Sequence, residues 1–348
     1  MQRASSSKEG DFCAMAGKFR GFGKDIGIDL GSAGVRLTVR GRGVVLEEPS
    51  LLAVDKQSAS ALATGHAAEE LLRRTPGSAV AAQPLREGII AEPALTEQLL
   101  REILRRGAGA QLHKPRLLLS VPAGVSEIEA KAVIDAALQA GAKRAYLIKA
   151  PMAAALGAGI DVNLPGGQML LDIGAGTTDI AVISLGELVE AASLRVAGDQ
   201  FDEALARFVR RKHGLLIGDG AAELLKREIG CVLPLPGARS VDIKGRDLES
   251  GLPKTRAISS GEMAEALAPV AVQILEQIQA VLSRTPPELR ADIQKNGITL
   301  TGGMSLLRGL ERFLAGGTGI NTHLAEEPTQ CVIRGITCAL EDLSALRA

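Results

Sequence analysis

Two glycine-rich turns hold the side chains whose types and spacing could do chemistry. The stretches IGIDLGSAGVRLTV and LLDIGAGTTDIAVIS each place an aspartate, Asp29 or Asp172, just before such a turn. Glycine allows a backbone that points several N–H groups toward an anionic oxygen atom. An aspartate repels phosphate directly, but it can hold the water shell of Mg²⁺, which takes few carboxylates and several waters. Two such turns facing each other are therefore expected to bind a triphosphate and its Mg²⁺ from both sides.

The second acidic turn lies 143 residues after the first, counted from Asp29 to Asp172. A single turn of this kind is more often a plain hairpin in which the aspartate favours the turn. The repetition favours the binding interpretation, with Asp29 and Asp172 as candidate Mg²⁺ ligands through water. The candidate phosphate-binding residues are Asp29, Gly31, Ser32, Ala33 and Gly34 in the first turn, and Asp172, Gly174, Ala175, Gly176, Thr177 and Thr178 in the second.

A third glycine turn lies between a predicted strand and a predicted helix in LTGGMSLL, and it contains Gly302, Gly303 and Met304. This is the setting in which a nucleotide approaches a helix N-terminus, and it is also the setting of an ordinary strand-to-helix turn. The three residues are therefore candidates for nucleotide binding with an open structural alternative.

Two more pairs of candidates lie in the segment between the second and third turns. Gly198 and Asp199 lie at a strand-to-helix junction, where Asp199 could contact a nucleotide or serve only as a helix cap. Glu223 and Lys226 lie three residues apart on one face of a predicted helix. That spacing is also typical of a solvated surface pair.

The order of apolar patterns predicts two related α/β halves, because a strand-rich opening followed by helices occurs twice. The first half is expected to contain residues 25–165 and 335–348, with an insertion at about 52–95. The second half is expected to contain residues 166–334, with an insertion at about 200–262. The main predicted elements are strands at 25–30, 35–40 and 43–54, helices at about 199–213 and 219–229, and a long helix after Ser259.

The composition excludes several classes of function. The formal net charge is zero and the chain has no tryptophan and one tyrosine, so it offers neither a basic surface nor stacking side chains for nucleic acid. Its four cysteines show no metal-ligand spacing. No apolar run approaches the roughly 18 residues that cross a bilayer, and no secretory signal is present.

The motifs together resemble the actin-like ATPase superfamily, which includes actin, Hsp70 chaperones and sugar kinases. Within it the sequence is similar to the MreB family of bacterial actin-like, rod-shape-determining proteins, from about Lys24 to Leu343. The stretches that carry the resemblance are DIGIDLGSAG, RRTPGSAVAAQPLREGIIAE, KPRLLLSVPAG, PMAAALGAG, DIGAGTTDIAVISLG, AGDQFDEAL, GRDLESGLP, TPPELRADI and LTGGMSLLRGLE.

The resemblance implies an actin-like ATPase fold, with two duplicated ribonuclease-H-like halves and inserted subdomains around an ATP cleft. It makes the two acidic turns the phosphate loops. It also places Gly198-Asp199 and Gly302-Gly303 by the ribose and adenine, with Glu223 and Lys226 reaching the adenosine. The implied activity is polymerisation with ATP and Mg²⁺ into paired filaments that organise cell-wall synthesis and cell shape. The implied partners are further copies of the chain, the inner membrane surface and the cell-wall elongation machinery, at a cytoplasmic location on the inner face of the membrane.

The chain departs from the family pattern at the place where relatives carry a catalytic glutamate. The family has IEEPMAAA and this chain has IKAPMAAA, so Lys149 replaces the residue that positions or activates the attacking water. An ammonium ion binds phosphate but is a poor base, and losing a catalytic base commonly costs about 10²–10⁴-fold in rate. Either the chain binds ATP and hydrolyses it very slowly, or Asp179 or a water network compensates.

Two smaller departures point to a divergent paralogue. Ala175 and Met304 replace glycines of the family pattern and add bulk near the phosphate and the base. A regulatory subunit that co-assembles with a second, hydrolysing filament protein is therefore an alternative function. A phosphotransferase of the sugar-kinase branch would need a carboxylate base in the cleft, and none is found at the matching place. A chaperone is disfavoured because the sequence ends soon after the nucleotide-binding fold.

The first 24 residues read as a tail with two possible roles. Phe12, Phe19 and Phe22 recur at helical spacing with basic residues between them, which is typical of a short helix lying on anionic lipid. Several glycines in the same segment argue against a stable helix in water, and a disordered tail is the alternative. Met15 could also be the start of translation.

Overall fold

The chain folds into alternating strands and helices. The computed structural model describes residues 24–341 except 59, 75–76, 110–112, 235 and 238, and structural statements refer to these residues. The predicted membrane residues Phe12, Phe19 and Phe22 lie outside the described residues. The strands are β1 (Asp25–Leu30), β2 (Gly34–Val39), β3 (Gly43–Pro49), β4 (Leu52–Asp55), β5 (Ala61–Thr64), β6 (Ala79–Ala82), β7 (Leu85–Arg86), β8 (Ile89–Ile90), β9 (Arg116–Val121), β10 (Arg144–Lys149), β11 (Gln168–Ile173), β12 (Thr178–Ser184), β13 (Glu187–Leu194), β14 (Leu215–Leu216), β15 (Ser240–Asp247), β16 (Pro253–Ser259), β17 (Ile298–Thr301) and β18 (Thr322–Leu324).

The helices lie between groups of strands along the chain and pack against the sheets. They are α1 (His66–Arg74), α2 (Pro93–Ala108), α3 (Glu127–Gln139), α4 (Ala150–Gly157), α5 (Gly198–His213), α6 (Asp219–Ile229), α7 (Ser260–Arg284), α8 (Pro287–Asn296), α9 (Leu310–Thr318) and α10 (Cys331–Glu341). Short 3₁₀ helices occupy Gly303–Leu306 and Pro328–Gln330. The predicted helices at about 199–213 and 219–229 and the long helix after Ser259 are confirmed.

Two five-stranded sheets with the same topology form the centre of the structure. The first has the order β10-β9-β1-β2-β3 and the second has the order β18-β17-β11-β12-β13. In each, an antiparallel meander of three strands is followed in space by two strands parallel to the first strand of the meander. The central strands are buried on both faces, as continuous apolar runs such as LLL in β9 and IAVI in β12 predict. The predicted duplication of an α/β half is therefore confirmed.

Smaller sheets lie within the segments expected to be insertions. The order β5-β4-β6 and the pair β7-β8 fall between residues 52 and 95, and β14-β15-β16 falls between about 200 and 262. The strand predicted at 43–54 is broken, because the backbone N–H of Ser50 donates to the carbonyl oxygen of Ala33 at 3.0 Å and the chain then enters another sheet. The expected boundary at residues 334 and 335 falls inside α10.

Helices α4 and α10 pack against each other and join the two sheets into one body. Their buried residues form a core with strands of both sheets, including Leu118 of β9 and Leu170 of β11. Gly157 and Gly335 lie at the crossing, where a Cβ atom on either would overlap backbone of the other helix. The two glycines therefore allow a close approach that no larger residue permits.

Helix α7 is long and apolar enough to cross a bilayer by length and composition alone. One of its faces is buried in the core of the second half, including Leu267, Ile274 and Ile278. The core helix of a folded domain has the same length and composition. The packing of this face identifies α7 as such a core helix.

Candidate functional site

A cavity of about 610 Å³ lies between the carboxyl ends of the two parallel strand sets. It opens where the two acidic turns face each other, which is where a ligand is expected in an α/β fold. The predicted residues that line it are Asp29, Gly31, Ser32, Ala33, Gly34, Asp172, Gly174, Ala175, Gly176, Thr177, Asp179, Gly198, Glu223, Lys226, Gly302, Gly303 and Met304. The structure thus brings together nearly all the candidates from both halves.

The two turns are closed by the same hydrogen bond at equivalent positions. The N–H of Gly31 donates to the carbonyl oxygen of Gly34 at 3.1 Å, and that of Gly174 donates to Thr177 at 2.9 Å. Each turn connects two antiparallel strands, and its residues line the cavity. The backbone N–H groups of such a turn can bind phosphate oxygens.

Asp29 lies at the floor of the cavity on the first sheet. The hydroxyl of Ser120 donates to its Oδ1 at 3.0 Å, and the guanidinium of Arg36 donates to its Oδ2 at 3.3 Å. Burial raises the pKa of Asp29, and Arg36 partly opposes this increase. The carboxylate is therefore oriented and partly neutralised before any cation binds.

Asp172 occupies the equivalent position on the second sheet. The hydroxyl of Thr301 donates to its Oδ1 at 3.1 Å. Burial raises its pKa to about 7, with further increases from the charges of Asp179 and Asp29. A divalent cation would relieve this repulsion. Within the described residues no three side chains of His, Cys, Asp or Glu are grouped to hold a metal directly. A pair of carboxylates is a donor set that fits Mg²⁺ held through its water shell, since this ion takes few carboxylates and several waters.

Helix α5 begins against the second turn. The N–H of Gly198 donates to the carbonyl oxygen of Gly174 at 3.1 Å, and that of Asp199 donates to Ala175 at 2.9 Å. The N-cap of α5 is Ala197, so Asp199 lies in the first turn and is not the cap. Asp199 is also outside the lining of the cavity. Its pKa is raised by burial, and the charge of Lys226 partly opposes this.

Glu223 and Lys226 do not pair with each other. Lys226 donates to the carboxylate of Asp202 at 2.5 Å and to the carbonyl oxygen of Gly198 at 3.2 Å. Glu223 lies 3.8 Å from the guanidinium of Arg227 in a half-exposed pair. Lys226 is thus a part of the cavity wall rather than one end of a solvated surface pair.

The third glycine turn approaches the second sheet closely. Gly302 has a φ of +82°, and a Cβ atom there would overlap the carbonyl group of Ile173. Its N–H donates to the carbonyl oxygen of Pro328 at 2.8 Å. Met304 is buried in the core of the second half while still bordering the cavity. The side chain of Met304, which replaces a glycine of the family pattern, is therefore accommodated mainly in the core.

Two predicted residues have other partners. Thr178 is fully buried and its hydroxyl donates to the carbonyl oxygen of Val196 at 2.7 Å, outside the cavity lining. Lys149 is also outside the lining, and its Nζ donates to the carbonyl oxygen of Ala123 at 3.0 Å. Burial lowers the pKa of Lys149, and the charge of Asp179 partly restores it.

Asp179, unlike Lys149, borders the cavity. It accepts a hydrogen bond from the N–H of Ala123 at 2.8 Å and others from the hydroxyls of Ser193 and Thr177. Burial raises its pKa to about 6, while these hydrogen bonds and Lys149 oppose the increase. Asp179 is therefore the candidate that could replace the catalytic glutamate, although its oxygens already accept several hydrogen bonds.

The cavity also contains residues that motif reasoning missed. Arg36 lies seven residues after Asp29, as Asp179 lies seven after Asp172, and this repeated spacing could have revealed it. Ser120 and Thr301 occupy equivalent strands and each orients one of the two aspartates. They carry no sequence signal beyond a polar residue in an apolar strand.

A turn from the first inserted segment reaches both phosphate turns. The N–H of Gly88 donates to the hydroxyl of Ser32 at 3.0 Å. The Cα atom of Glu87 lies 2.9 Å from the position that a Cβ on Gly176 would take. Glycine at position 176 therefore allows the two segments to meet at the mouth of the cavity.

Comparison with known proteins extends the likeness beyond the turns. The sequence profile of the family described as MreB/Mbl protein matches residues 23–348. The cell shape-determining protein Mbl of Bacillus subtilis (strain 168) is 42% identical over 326 residues, which are 93% of this chain and 98% of that protein. The cell shape-determining protein MreB of Escherichia coli (strain K12) is 42% identical over 334 residues, which are 94% of this chain and 96% of that protein.

A solved structure shows the same fold. The crystal structure of MreB 5 of Spiroplasma citri bound to AMPPNP matches with a TM-score of 0.85 and 38% sequence identity, over 90% of this chain and 94% of that one. The likeness therefore extends over both halves of the chain.

Proposed function

The chain belongs to the MreB/Mbl family of actin-like proteins, and on that premise we propose that it binds ATP with Mg²⁺ in the cavity and assembles into filaments. The observation that carries the proposal is the pair of equivalent turns facing one cavity of about 610 Å³. A relative of the same fold binds the ATP analogue AMPPNP. Filaments of this chain would organise cell-wall synthesis and thereby cell shape. The role in cell shape agrees with the names of the relatives, which are cell shape-determining proteins.

Asp29 and Asp172 are the residues that would hold Mg²⁺ through water, one from each half. Asp29 is buried and Asp172 is half-buried, and each accepts a hydrogen bond from a hydroxyl, that of Ser120 or Thr301 respectively. When bound, Mg²⁺ neutralises phosphate charge and favours the ionised form of both carboxylates. The turn N–H groups and the hydroxyl of Ser32 would supply the hydrogen bonds to phosphate.

Hydrolysis is proposed to be slow. Lys149 occupies the position of the family's catalytic glutamate, and its ammonium group is directed to Ala123 and not into the cavity. Asp179 borders the cavity, but its carboxylate already accepts from Ala123, Ser193 and Thr177. These hydrogen bonds lower the pKa that burial raises, and so they weaken Asp179 as a base.

The same observation favours a second candidate function, a regulatory subunit that co-assembles with a hydrolysing filament protein of the family. Such a subunit needs the filament surfaces and the nucleotide pocket but no rapid turnover. The two candidates differ in whether the purified chain assembles alone.

Attachment to the inner face of the cell membrane is proposed through the N-terminal tail, where Phe12, Phe19 and Phe22 alternate with basic residues. The described chain begins at Lys24, whose Nζ donates to the carbonyl oxygen of Ala108 at the end of α2. This contact fixes the point at which the tail leaves the first half. The cell-wall elongation machinery is the expected partner at that membrane.

Sedimentation and phosphate release, measured in the same tube with Mg-ATP, test the proposal. The wild-type chain should pellet and release little phosphate, and Lys149→Glu should gain release. Lys295→Glu, at an exposed position of α8, controls for the change in charge. Failure to bind nucleotide would contradict the proposal as a whole. Brisk release by the wild-type chain would contradict slow hydrolysis, and assembly only with a second family member would support the regulatory alternative.

A further inference from the structure

The backbone of Ala123 is hydrogen-bonded to one side chain from each half of the protein. It lies in the loop that follows β9, and Lys149 ends the neighbouring strand β10, where it is the register partner of Val121. Lys149 donates to the carbonyl oxygen of Ala123 at 3.0 Å. Asp179, on β12 of the other sheet, accepts from the N–H of Ala123 at 2.8 Å. One backbone residue is therefore bonded to an ammonium group of the first half and to a carboxylate of the second.

We call this arrangement the seam, meaning Ala123, Lys149 and Asp179. The residues next to the seam pack closely together. A Cβ atom on Gly124 would lie 3.0 Å from the Cβ of Ser193, so the loop packs directly on β13. Asp179 is 2% exposed and the hydroxyl of Ser193 also donates to it. A charged hydrogen bond in such a buried place is much stronger than one at the surface.

A second contact between the halves is exposed and weak by comparison. Arg195, just after β13, lies 3.0 Å from Glu87 and 3.6 Å from Glu129. Its side chain is 57% exposed, and exposed ion pairs of this kind contribute between zero and about 1 kcal/mol. The buried seam is therefore the stronger of the two links beside the cavity.

The identity of residue 149 decides whether the seam can form. A glutamate there could not donate to a carbonyl oxygen, and its charge would repel Asp179. Lysine has the donor and the opposite charge, and its four-carbon chain reaches the loop. The same substitution that removes a base therefore fixes, within the first half, the loop whose N–H bonds Asp179 of the second half.

We propose that Lys149 is a positioning residue that, through Ala123 and Asp179, holds the two halves closed and slows the release of nucleotide. The seam itself rests on contacts seen in the structure, while the effect on release rests on the nucleotide binding proposed above. Closure then persists after ligand is lost, which favours long-lived filaments.

Two measurements test the proposal separately. The first is hydrogen exchange of the Ala123 and Ser193 segments in the nucleotide-free chain, and the second is the release rate of a fluorescent ATP analogue with Mg²⁺. Lys149→Met should raise both rates by about tenfold, the size expected for a buried charged hydrogen bond. Lys149→Arg keeps a cationic donor and should remain close to wild type.

Three controls separate the seam from other effects. Arg195→Gln, which removes the exposed pair, should change release less than about twofold. Lys295→Met controls for the loss of a lysine on the surface. In an Asp179→Asn background, the effect of Lys149→Met should shrink, because the two charges act as a unit.

The outcomes are distinct. Unchanged exchange in Lys149→Met overturns the proposal, whatever happens to ATP. Faster exchange with unchanged release overturns the role in release. Faster exchange in a chain that binds no nucleotide upholds the seam and overturns the proposed function. Equal effects of Lys149→Arg and Lys149→Met also overturn the proposal, because the cationic donor would then be irrelevant.

Discussion

The Nζ of Lys226 lies 2.5 Å from a carboxylate oxygen of Asp202 and 3.2 Å from the carbonyl oxygen of Gly198. Asp202 lies on α5 and Lys226 on α6, so the pair joins the two helices where they border the cavity. Burial raises the pKa of Asp202 to about 6 even with Lys226 beside it. The second oxygen of Asp202 is buried and has no hydrogen-bond partner among the residues that the structure describes. The ammonium group is therefore the main compensation for a costly carboxylate.

Replacing Lys226 with methionine should destabilise the protein and weaken ATP binding. The change leaves the carboxylate of Asp202 buried without its counter-charge, which is expected to cost about 1–3 kcal/mol of unfolding free energy. Urea unfolding measures this cost, and titration calorimetry with Mg-ATP measures the affinity. The double variant Lys226→Met with Asp202→Leu is the control, because it removes both charges. It should recover stability but not affinity. Recovery of both would show that Lys226 acts only through Asp202.

The stability of the nucleotide-free protein should fall as the pH rises from about 4 to 7. Burial and the neighbouring aspartates raise the pKa of Asp172 to about 7, from 3.8 for the exposed group. The folded state therefore binds more protons than the unfolded state between these values. Its stabilisation is complete below the lower pKa and is lost as the pH passes the higher one, with a slope of at most about 1.4 kcal/mol per pH unit for one proton.

Chemical unfolding at several pH values, with Asp172→Asn beside the wild type, isolates this contribution. The difference between the two free energies should change with pH in the predicted direction, since the asparagine cannot titrate. Mg²⁺ with ATP should remove most of the slope, because a cation favours the ionised carboxylate. A difference that stays constant across the range would mean that Asp172 is already ionised in the nucleotide-free fold.

Most of the features that the sequence predicts come from the local apolar patterns of strands and helices and from the repeated acidic turn. The turns at Asp29 and Asp172 are recognisable because their backbone needs glycine at fixed positions, and each lies between two strands with clear apolar runs. Helices such as α5 and α7 have apolar periods long enough to outweigh local ambiguity. The duplicated topology followed from the order of these elements.

Contacts between distant elements were not predictable in the same way. Asp202 and Lys226 meet because α5 and α6 pack together, and neither helix pattern encodes the partner of the other. The break between β3 and β4 depends on the bond from Ser50 to Ala33, which no local propensity shows. Lys149 was expected at the reacting centre by its position in a motif, but its rotamer is set by Ala123, a residue with no functional signal.

Gly335→Ala should destabilise the fold more than any conservative exchange nearby, because a Cβ atom there would overlap the carbonyl group of Ala153 at the crossing of α4 and α10. Forcing the two helices apart is expected to cost about 1–3 kcal/mol or more. Gly316→Ala in α9 is the matched control, since the space around it is open and alanine favours a helix by up to about 1 kcal/mol. Urea unfolding should therefore shift in opposite directions for the two variants. Equal shifts would mean that α4 and α10 can separate without loss of packing, and that the glycines are not required for the joint between the sheets.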